Sequence, residues 1–216
     1  TYGWGMLDLG RAVDGPVQFG ASGFAPIFEV DTKGWNSVWD NDISGQGGLS
    51  KSGQGHLVMN GYNTYQGNTQ IHAGKLSVNG ALSNSNVTIE SAAALSGSGT
   101  VKQLVVAGLL QPGNSIGTFT VTGDYTQLAG STLEIEIDGS GASDLLKVHG
   151  QADLQGGQLQ VLGLTAETIG KDFRFLDAGQ LNTAHSLNTT DLGLPYVATH
   201  VITEKQTATS SLALSV

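Results

Sequence analysis

The chain has 216 residues, with 32 glycines, 4 prolines and no cysteine, and charged residues make up only 12% of it. Its 18 acidic and 9 basic residues leave a formal net charge of −9, which argues against nucleic acid or anionic lipid as a partner. Without cysteine there is no disulfide and no thiolate metal site, and we expect no cofactor. The longest apolar run, residues 104–110, is far too short to cross a bilayer.

The first segment, TYGWGMLDLGRAVDGPVQFG, has apolar residues near helical spacing. Met6, Leu9 and Val13 fall close to one face of a helix, so the spacing predicts a short helix over residues 5–13. Beyond about residue 40 no stretch has a convincing helical period. No charged and then apolar leader follows Thr1, so we expect any signal sequence to lie upstream of this chain.

A stretch that copies half of a calcium loop begins at Asp40, with the letters DNDISG. The twelfth position of an EF-hand loop requires a bidentate glutamate, but here it is Lys51. We therefore predict no metal site here.

The centre of the chain repeats a unit in which glycine is the fourth residue after leucine. Copies begin at Leu57, Leu76 and Leu95, each 19 residues after the last, and a fourth begins at Leu109 after 14 residues. Short segments with alternating apolar and polar residues lie between or beyond these units, at 69–72, 86–90, 118–122, 132–138 and 158–161. Most are followed closely by glycine beside Asn, Ser or Asp, which is typical of turns.

Short strands at a fixed period favour a solenoid over a sandwich. In a parallel β-helix each coil of about 20 residues contains two or three strands, and equivalent positions stack. One coil cannot fold alone, because ordering it costs roughly 30 kcal/mol while about five inward aliphatic side chains return about 2 to 3 kcal/mol each. The pattern predicts a ladder in which Asn60 lies beneath Asn79; the alternative is an ordinary Asn-Gly hairpin turn.

The letters Gly113-Asn114-Ser115-Ile116-Gly117 reproduce the G-x-S-x-G pattern of serine hydrolases. Asp124 or Asp138 and then His149 follow in hydrolase order, so a triad is possible on paper. The pattern requires a helix after the serine, however, and a β-prone segment follows instead. A coil corner explains Pro112 as well as Gly113 and Asn114, so we interpret Ser115 as a corner residue.

Other polar residues give no constellation of their own. The five histidines show no spacing that would place two on one face. Glu134, Glu136 and Asp138 share one strand face, which could resemble a paired-carboxylate site but is more typical of a solvated strand. Glycines 45, 47 and 48 are not followed by the lysine and serine of a phosphate loop. We predict no catalytic residue and no cofactor-binding residue.

Residues 39–80, WDNDISGQGGLSKSGQGHLVMNGYNTYQGNTQIHAGKLSVNG, resemble the passenger β-helix of bacterial autotransporters. In that family N-D-I-S-G-x-G-G-L, L-x-G-x-N-T-Y-x-G-x-T and G-x-L-x-V-N-G recur in this order. Residues 95–138 are similar to the family's segment with P-G-N-S-I-G and V-x-G-D-Y, and residues 143–161 to its D-x-L-x-V-x-G-x-A-x-L-x-G-G pattern. The resemblance implies a right-handed parallel β-helix over residues 35–216.

The resemblance also marks structural positions and domains. The positions are Asn41, Ser44, Gly45, Gly47, Gly48, Asn60, Gly61, Asn63, Thr64, Tyr65, Gly67, Asn79, Gly80, Pro112, Gly113, Asn114, Ser115, Gly117, and the inward Leu133 and Ile135. Residues 1–20 are similar to the closing G-W-G-x-x-D-x-x-x-A-x-x-G-P segment of subtilisin-like proteases, which implies that residues 1–34 end such a domain and form a linker.

The implied function is a secreted or surface-exposed stalk, exported across the outer membrane of a Gram-negative bacterium. It would be non-catalytic and monomeric, and residues 100–216 would act as an autochaperone. Its partners would be an upstream protease domain, which holds the catalytic triad, and a downstream membrane barrel of the same precursor.

Two rival hypotheses belong to other classes. An adhesin-like module would contact a host glycan or protein through Trp35, Trp39, Tyr62 and Tyr65, although we expect at least the two tryptophans to pack in the core or in a cap. A polysaccharide lyase would need acids clustered with arginine or lysine, and Arg11 and Arg174 are the only arginines.

Overall fold

The computed structural model describes residues 14–20, 26–185, 187–189, 200–205 and 210–216, and their regular structure is almost entirely β-strand. One 3-10 turn, at Ala166–Thr168, interrupts the strands of the described residues. In chain order the strands are β1 (Ile27–Asp31), β2 (Ser37–Trp39), β3 (Gly48–Ser52), β4 (His56–Met59), β5 (Tyr62–Asn63), β6 (Thr69–Ile71), β7 (Gly74–Val78), β8 (Ala81–Ile89), β9 (Ala93–Gly97), β10 (Thr100–Val106), β11 (Leu109–Pro112), β12 (Thr118–Val121), β13 (Tyr125–Gln127), β14 (Thr132–Glu136), β15 (Leu145–Gln155), β16 (Gln158–Leu162), β17 (Asp172–His185), β18 (Asn188–Thr189), β19 (His200–Lys205) and β20 (Ser210–Ser215).

The chain winds through three faces per coil. Counted from the N-terminal end, the first strands of face 1 are β1, β3 and β6, and the first strand of face 3 is β5. Face 2 contains β2, β4, β7, β9, β11, β14, β16 and β18. Longer strands turn the corner from face 3 to face 1: in β8, Ala81 pairs with β5 and Val87 pairs with β6. All pairings within faces 1 and 2 are parallel. The predicted parallel β-helix is therefore confirmed.

Face 2 fixes the register through a row of stacked leucines. Residue pairing connects Leu57, Leu76, Leu95, Leu110, Leu133 and Leu159 in succession. All six side chains are fully buried. A leucine from each coil thus packs on the leucine of the next, and each coil supplies apolar area that its neighbour needs.

The fourth copy of the sequence repeat is shifted by one residue. Leu110, not Leu109, pairs with Leu95, and Pro112 pairs with Gly97. Leu109 instead lies in the outward row. Because successive side chains on a strand point to opposite faces, the alignment through Leu109 was wrong for this coil. The alternating segments predicted at 69–72, 86–90, 118–122, 132–138 and 158–161 all coincide with strands.

Aromatic side chains fill the end of the core nearest the N-terminus. The ring of Phe19 stacks on Phe28 at 4.9 Å between centroids and lies 4.8 Å from Tyr65, with Trp39 at 6.4 Å. The backbone N–H of Phe19 donates to Ser44, so residues 14–20 pack on the first coil. The boundary between residues 34 and 35 stays a prediction, although β1 already pairs with β3. The helix predicted over residues 5–13 lies outside the described residues.

The two ends of the solenoid differ. Near the C-terminus β20 pairs antiparallel with β17, and β19 pairs antiparallel with β20. At the other end β1 and β2 are the terminal strands of their sheets, and they leave Ile27, Phe28 and Val38 substantially exposed.

A buried lysine joins the first three coils at the corner between faces 1 and 2. The Lys51 side chain is fully buried, and its Nζ donates to Thr32 Oγ1 and to the carbonyl oxygens of Ser52, Gly53, Gly55 and Ala73 at 2.7 to 3.2 Å. Desolvation lowers the pKa of Lys51, and the charge of Asp31 partly opposes this. The ammonium group therefore acts as an internal cation within a cage of oxygens.

Candidate functional site

A side-chain ladder runs along the corner where face 2 ends. Asn60 Nδ2 donates to Asp40 Oδ1 at 2.6 Å, and Asn79 Nδ2 donates to Asn60 Oδ1 at 2.8 Å. Asn114 Nδ2 then donates to Asn79 Oδ1 at 2.9 Å, and it also contacts Ser98 Oγ at 3.5 Å. The predicted asparagine ladder is confirmed, and it extends further in both directions than the repeat indicated.

The glycines that follow Asn60 and Asn79 are required by close packing of the coils. A Cβ on Gly61 would lie 2.1 Å from the Asn41 carbonyl oxygen, and one on Gly80 would lie 2.1 Å from the Gly61 carbonyl oxygen. The same kind of backbone contact closes the other motif glycines of the first coils, at positions 45, 47, 48 and 67. Side chains are thus excluded where one corner rests on the next.

The remaining motif residues of this corner bind neighbouring coils. Asn41 Nδ2 donates to the Gly15 carbonyl at 2.6 Å, and Ser44 Oγ lies 3.5 Å from the Val17 carbonyl. Buried Asn63 accepts from the Ile43 N–H, and the Thr64 N–H donates to the Ile43 carbonyl. Tyr65, also buried, bonds Thr69 through its hydroxyl group. Asn41 and Ser44 thus contact residues 14–20, Asn63 and Thr64 bond to the preceding coil, and the Tyr65 hydroxyl bonds within its own coil.

The loop over residues 113–117 folds back over face 2. Gly113 has φ +88° and exchanges backbone hydrogen bonds with Gly97. Asp144 fixes the other end: its carboxylate accepts from the Gly117 N–H at 2.8 Å and from the Glu136 N–H at 2.7 Å. Asp144 is only 2% exposed. A buried carboxylate therefore holds the end of this loop, and the sequence did not predict this role for Asp144.

The pKa of Asp144 is shifted by its surroundings. Burial raises the pKa of Asp144 to about 6, the charges of Glu136 and Glu134 add to this, and the two backbone N–H groups oppose it. The side chain therefore takes up a proton in a mildly acidic range where exposed carboxyls remain ionised.

The loop and face 2 enclose a polar groove of about 230 Å³. Two hydrogen-bonded chains cross its floor: His56 to Ser77 to Ser96, and Lys75 to Gln111 to Glu134. Burial lowers the pKa of His56, and the charges of Lys75 and Lys51 add to this, so the surroundings disfavour the protonated imidazole. The groove is lined by His56, Lys75, Ser77, Ser96, Gln111, Pro112, Gly113, Asn114, Ser115, Glu134, Glu136 and Asp144.

Ser115 lines this groove, and among the described residues the groups around it do not form a triad. Its side chain is exposed, His56 Nε2 bonds Ser77, and the Asp144 carboxylate is occupied by backbone N–H groups. The hydrolase partners suggested by chain order lie apart from the groove: Asp124 and His149 line a separate cleft. No helix follows Ser115, since β12 comes next. The interpretation of Ser115 as a corner residue agrees with this geometry.

The stretch that copies a calcium loop uses its carboxylates as structural acceptors. Asp40 accepts from Asn60, and Asp42 Oδ1 accepts from the Tyr62 N–H at 2.6 Å. Within the described residues no group of three or more acidic or histidine side chains could hold a metal ion.

The aromatic side chains of the rival adhesin hypothesis fall into two classes. Trp39 and Tyr65 are buried in the core, whereas Trp35 is 79% exposed and Tyr62 is 73% exposed. We expected both tryptophans to pack in the core or a cap, and for Trp35 this was wrong. The Leu133 and Ile135 side chains are fully buried, as predicted for inward positions.

These features define a repeat solenoid of the parallel β-helix class, with coils joined by side-chain ladders. Residues 49–78, which contain Asn60 and Lys51, match the family model described as passenger-associated-transport-repeat. Among the described residues no helix is long and apolar enough to span a membrane.

The relatives are longer proteins. An extracellular serine protease of Serratia marcescens is 34% identical over 194 residues, which cover 74% of this chain and 18% of that protein. The Neisserial autotransporter lipoprotein NalP of Neisseria meningitidis is 33% identical over 222 residues, which cover 88% of this chain and 19% of that protein. The chain is an autotransporter passenger segment, secreted or exposed at the cell surface, and it spans about a fifth of the length of these relatives.

Proposed function

We propose that this passenger segment is a non-catalytic stalk that supports an upstream serine protease domain and promotes its secretion and folding at the outer membrane. The difference between the two ends of the solenoid carries the proposal. At the C-terminal end antiparallel β20 and β19 cover β17, although face 2 still ends there in the parallel strand β18; at the other end β1 and β2 are, among the described residues, parallel terminal strands with exposed apolar side chains.

This asymmetry suits a chain that folds from its C-terminus. Where β20 covers β17 no further parallel strand can add, but the terminal strands β1 and β2 offer backbone groups and apolar area to a coil that folds later. If the C-terminal region leaves the membrane first, it folds without a partner and then acts as a template. Residues 100–216 are the autochaperone in this proposal, and the upstream protease and downstream membrane barrel belong to the same precursor.

The proposal is tested in the full-length precursor at the cell surface. Leu133→Asp and Ile135→Asp each place a charge in the core of the proposed nucleus, where an unpaired charge is strongly destabilising. Both variants should lose secretion and the resistance of the passenger to added protease, while protease domain that has already folded stays active. Gln160→Asp, at an exposed outward position of the adjacent strand β16, is the matched control and should behave as the parent.

Secretion and protease resistance that survive both core substitutions would refute the autochaperone role. Ser115→Ala tests the non-catalytic part of the proposal separately. A folded Ser115→Ala chain that loses a hydrolase activity would show that the segment is an enzyme.

A second candidate function is an adhesin-like contact with a host glycan or protein. The high exposure of the Trp35 and Tyr62 side chains favours it, since exposed aromatic rings are common at recognition surfaces. Binding on a glycan array that is lost in Trp35→Ala and Tyr62→Ala would support this function. An array signal that is unchanged in both variants would exclude those rings as the contact.

A further inference from the structure

Two corners of the ladder carry the same chemically labile dipeptide. Asn60 precedes Gly61, Asn79 precedes Gly80, and both glycines are closed to any side chain by backbone atoms 2.1 Å from a Cβ. The fold therefore requires asparagine for the ladder and glycine for the corner. Asparagine followed by glycine deamidates readily, because no side chain hinders the backbone nitrogen that attacks.

The reaction needs neither enzyme nor oxidant. The glycine nitrogen attacks Cγ of the asparagine, a bond forms between these atoms, the Cγ–Nδ2 bond breaks, and ammonia leaves with the proton from the backbone nitrogen. Water then opens the cyclic imide to aspartate or isoaspartate. To react, the asparagine side chain must leave its hydrogen-bond partners so that Cγ approaches the next backbone nitrogen.

The ladder holds its two Asn-Gly sites differently. Asn79 is half-buried between Asn60 and Asn114, and the Gly80 N–H donates to the Met59 carbonyl at 3.4 Å. Asn60 is exposed, and its other partner, Asp40, directly follows β2, the terminal strand of face 2. Terminal repeats of a solenoid open more readily than internal ones, so the Asn60 side chain is released more often.

We propose that Asn60 is a site of spontaneous deamidation in the folded protein, and that the ladder protects Asn79 from the same reaction. A carboxylate at position 60 would face the Asp40 carboxylate across the 2.6 Å contact that the amide now bridges. Isoaspartate would also lengthen the backbone at a corner with no spare room. Deamidation at Asn60 would thus loosen the first coils and leave the later ones intact.

The test compares two sites in one molecule. The full chain is incubated in mildly alkaline buffer, folded or in concentrated urea, and peptide mapping by mass spectrometry quantifies aspartate and isoaspartate at positions 60 and 79. In urea the two rates should be similar. In the folded protein Asn60 should react roughly tenfold faster than Asn79, because Asn79 is half-buried and the Gly80 nitrogen that must attack also donates to the Met59 carbonyl, and one hydrogen bond of ordinary strength changes a rate by about that factor. Equal rates in the folded protein, or faster reaction at Asn79, would overturn the proposal.

Two variants test the ladder as the cause. Asp40→Ala removes the outer partner of Asn60 and should accelerate reaction at position 60 alone. Asn114→Ala removes a partner of Asn79 and should accelerate reaction at position 79 alone. If both variants retain a far-UV circular dichroism spectrum typical of β-strands, and the deamidation rate changes neither at position 60 in Asp40→Ala nor at position 79 in Asn114→Ala, the ladder does not set these rates and the proposal is wrong.

Discussion

Replacing Lys51 with methionine is expected to destabilise the first three coils by about 3 kcal/mol, because buried carbonyl oxygens lose their donor at about 1 to 3 kcal/mol each. An ammonium group has three N–H donors, and five oxygens lie within 3.2 Å of Nζ. Each hydrogen bond to a charged group is worth about 1.5 to 3 kcal/mol. Burial of the charge costs several kcal/mol and offsets much of the gross gain.

The methionine substitution tests the contribution of the ammonium group alone, because methionine retains most of the length and apolar packing of lysine. Several buried carbonyl oxygens would then lose their donor, at about 1 to 3 kcal/mol for each one left unsatisfied. Hydrogen exchange should increase first in β1, β3 and β6, because Lys51 connects the coils that contain these strands.

Urea unfolding at fixed pH measures the change as a lower midpoint at constant slope. Lys102→Met, at an exposed position of β10, is the matched control and should change the free energy of unfolding by less than about 0.5 kcal/mol. If Lys51→Met unfolds at the same urea concentration as Lys102→Met, the oxygen cage does not stabilise the protein and the reasoning fails.

Two further predictions concern the loop anchor and the ladder corner. The pKa of Asp144 is raised to about 6 from its ordinary 3.8, so the folded state binds this proton more tightly than the unfolded state does. Asp144 therefore contributes stability below about pH 4, and this contribution of at most about 3 kcal/mol is lost as the pH rises through 6. The difference in urea midpoint between the parent and Asp144→Asn should therefore change between pH 4 and pH 7, and a constant difference would contradict the shift. Gly80→Ala should cost about 2 kcal/mol or more from overpacking against the Gly61 carbonyl. Gly130→Ala, which has open space but φ +85°, should cost only about 1 kcal/mol of backbone strain, and equal losses would argue against the steric account.

The stacking of the coils was predictable because the repeat places the same residue type at the same coil position. Leu57, Leu76 and Leu95 are equally spaced, so both the inward leucine row and the ladder through Asn60 and Asn79 followed from the period. The register of the fourth copy did not follow, since the unit of leucine and glycine selects Leu109 with Gly113, whereas the adjacent Leu110 occupies the inward row. A shift of one residue exchanges the two faces of a strand, and only pairing with Leu95 distinguishes them.

Lys51 and Asp144, which are buried and charged, were harder to predict. Lys51 carried a signal, because it lies two residues after buried Leu49 on the same strand and so occupies an inward position. Asp144 carried none, because its partner Gly117 is 27 residues away and a long loop separates β14 from β15. Its role depends on how that loop returns to the corner, which local sequence patterns do not specify.

The loop at residues 113–117 couples the stability of coils that are not adjacent in the stack. In a simple solenoid each coil contacts only its neighbours, and stability is a sum of nearest-neighbour terms. Here Asn114 reaches back 35 residues to Asn79, past the coil that contains Ser98, while Gly117 is held by Asp144 of the following coil. Coils that are not adjacent are therefore coupled directly, so the segment between Asn79 and Asp144 gains cooperativity that stacking alone would not give. That segment overlaps the proposed autochaperone, and a nucleus that folds before its neighbours arrive needs this kind of internal connection.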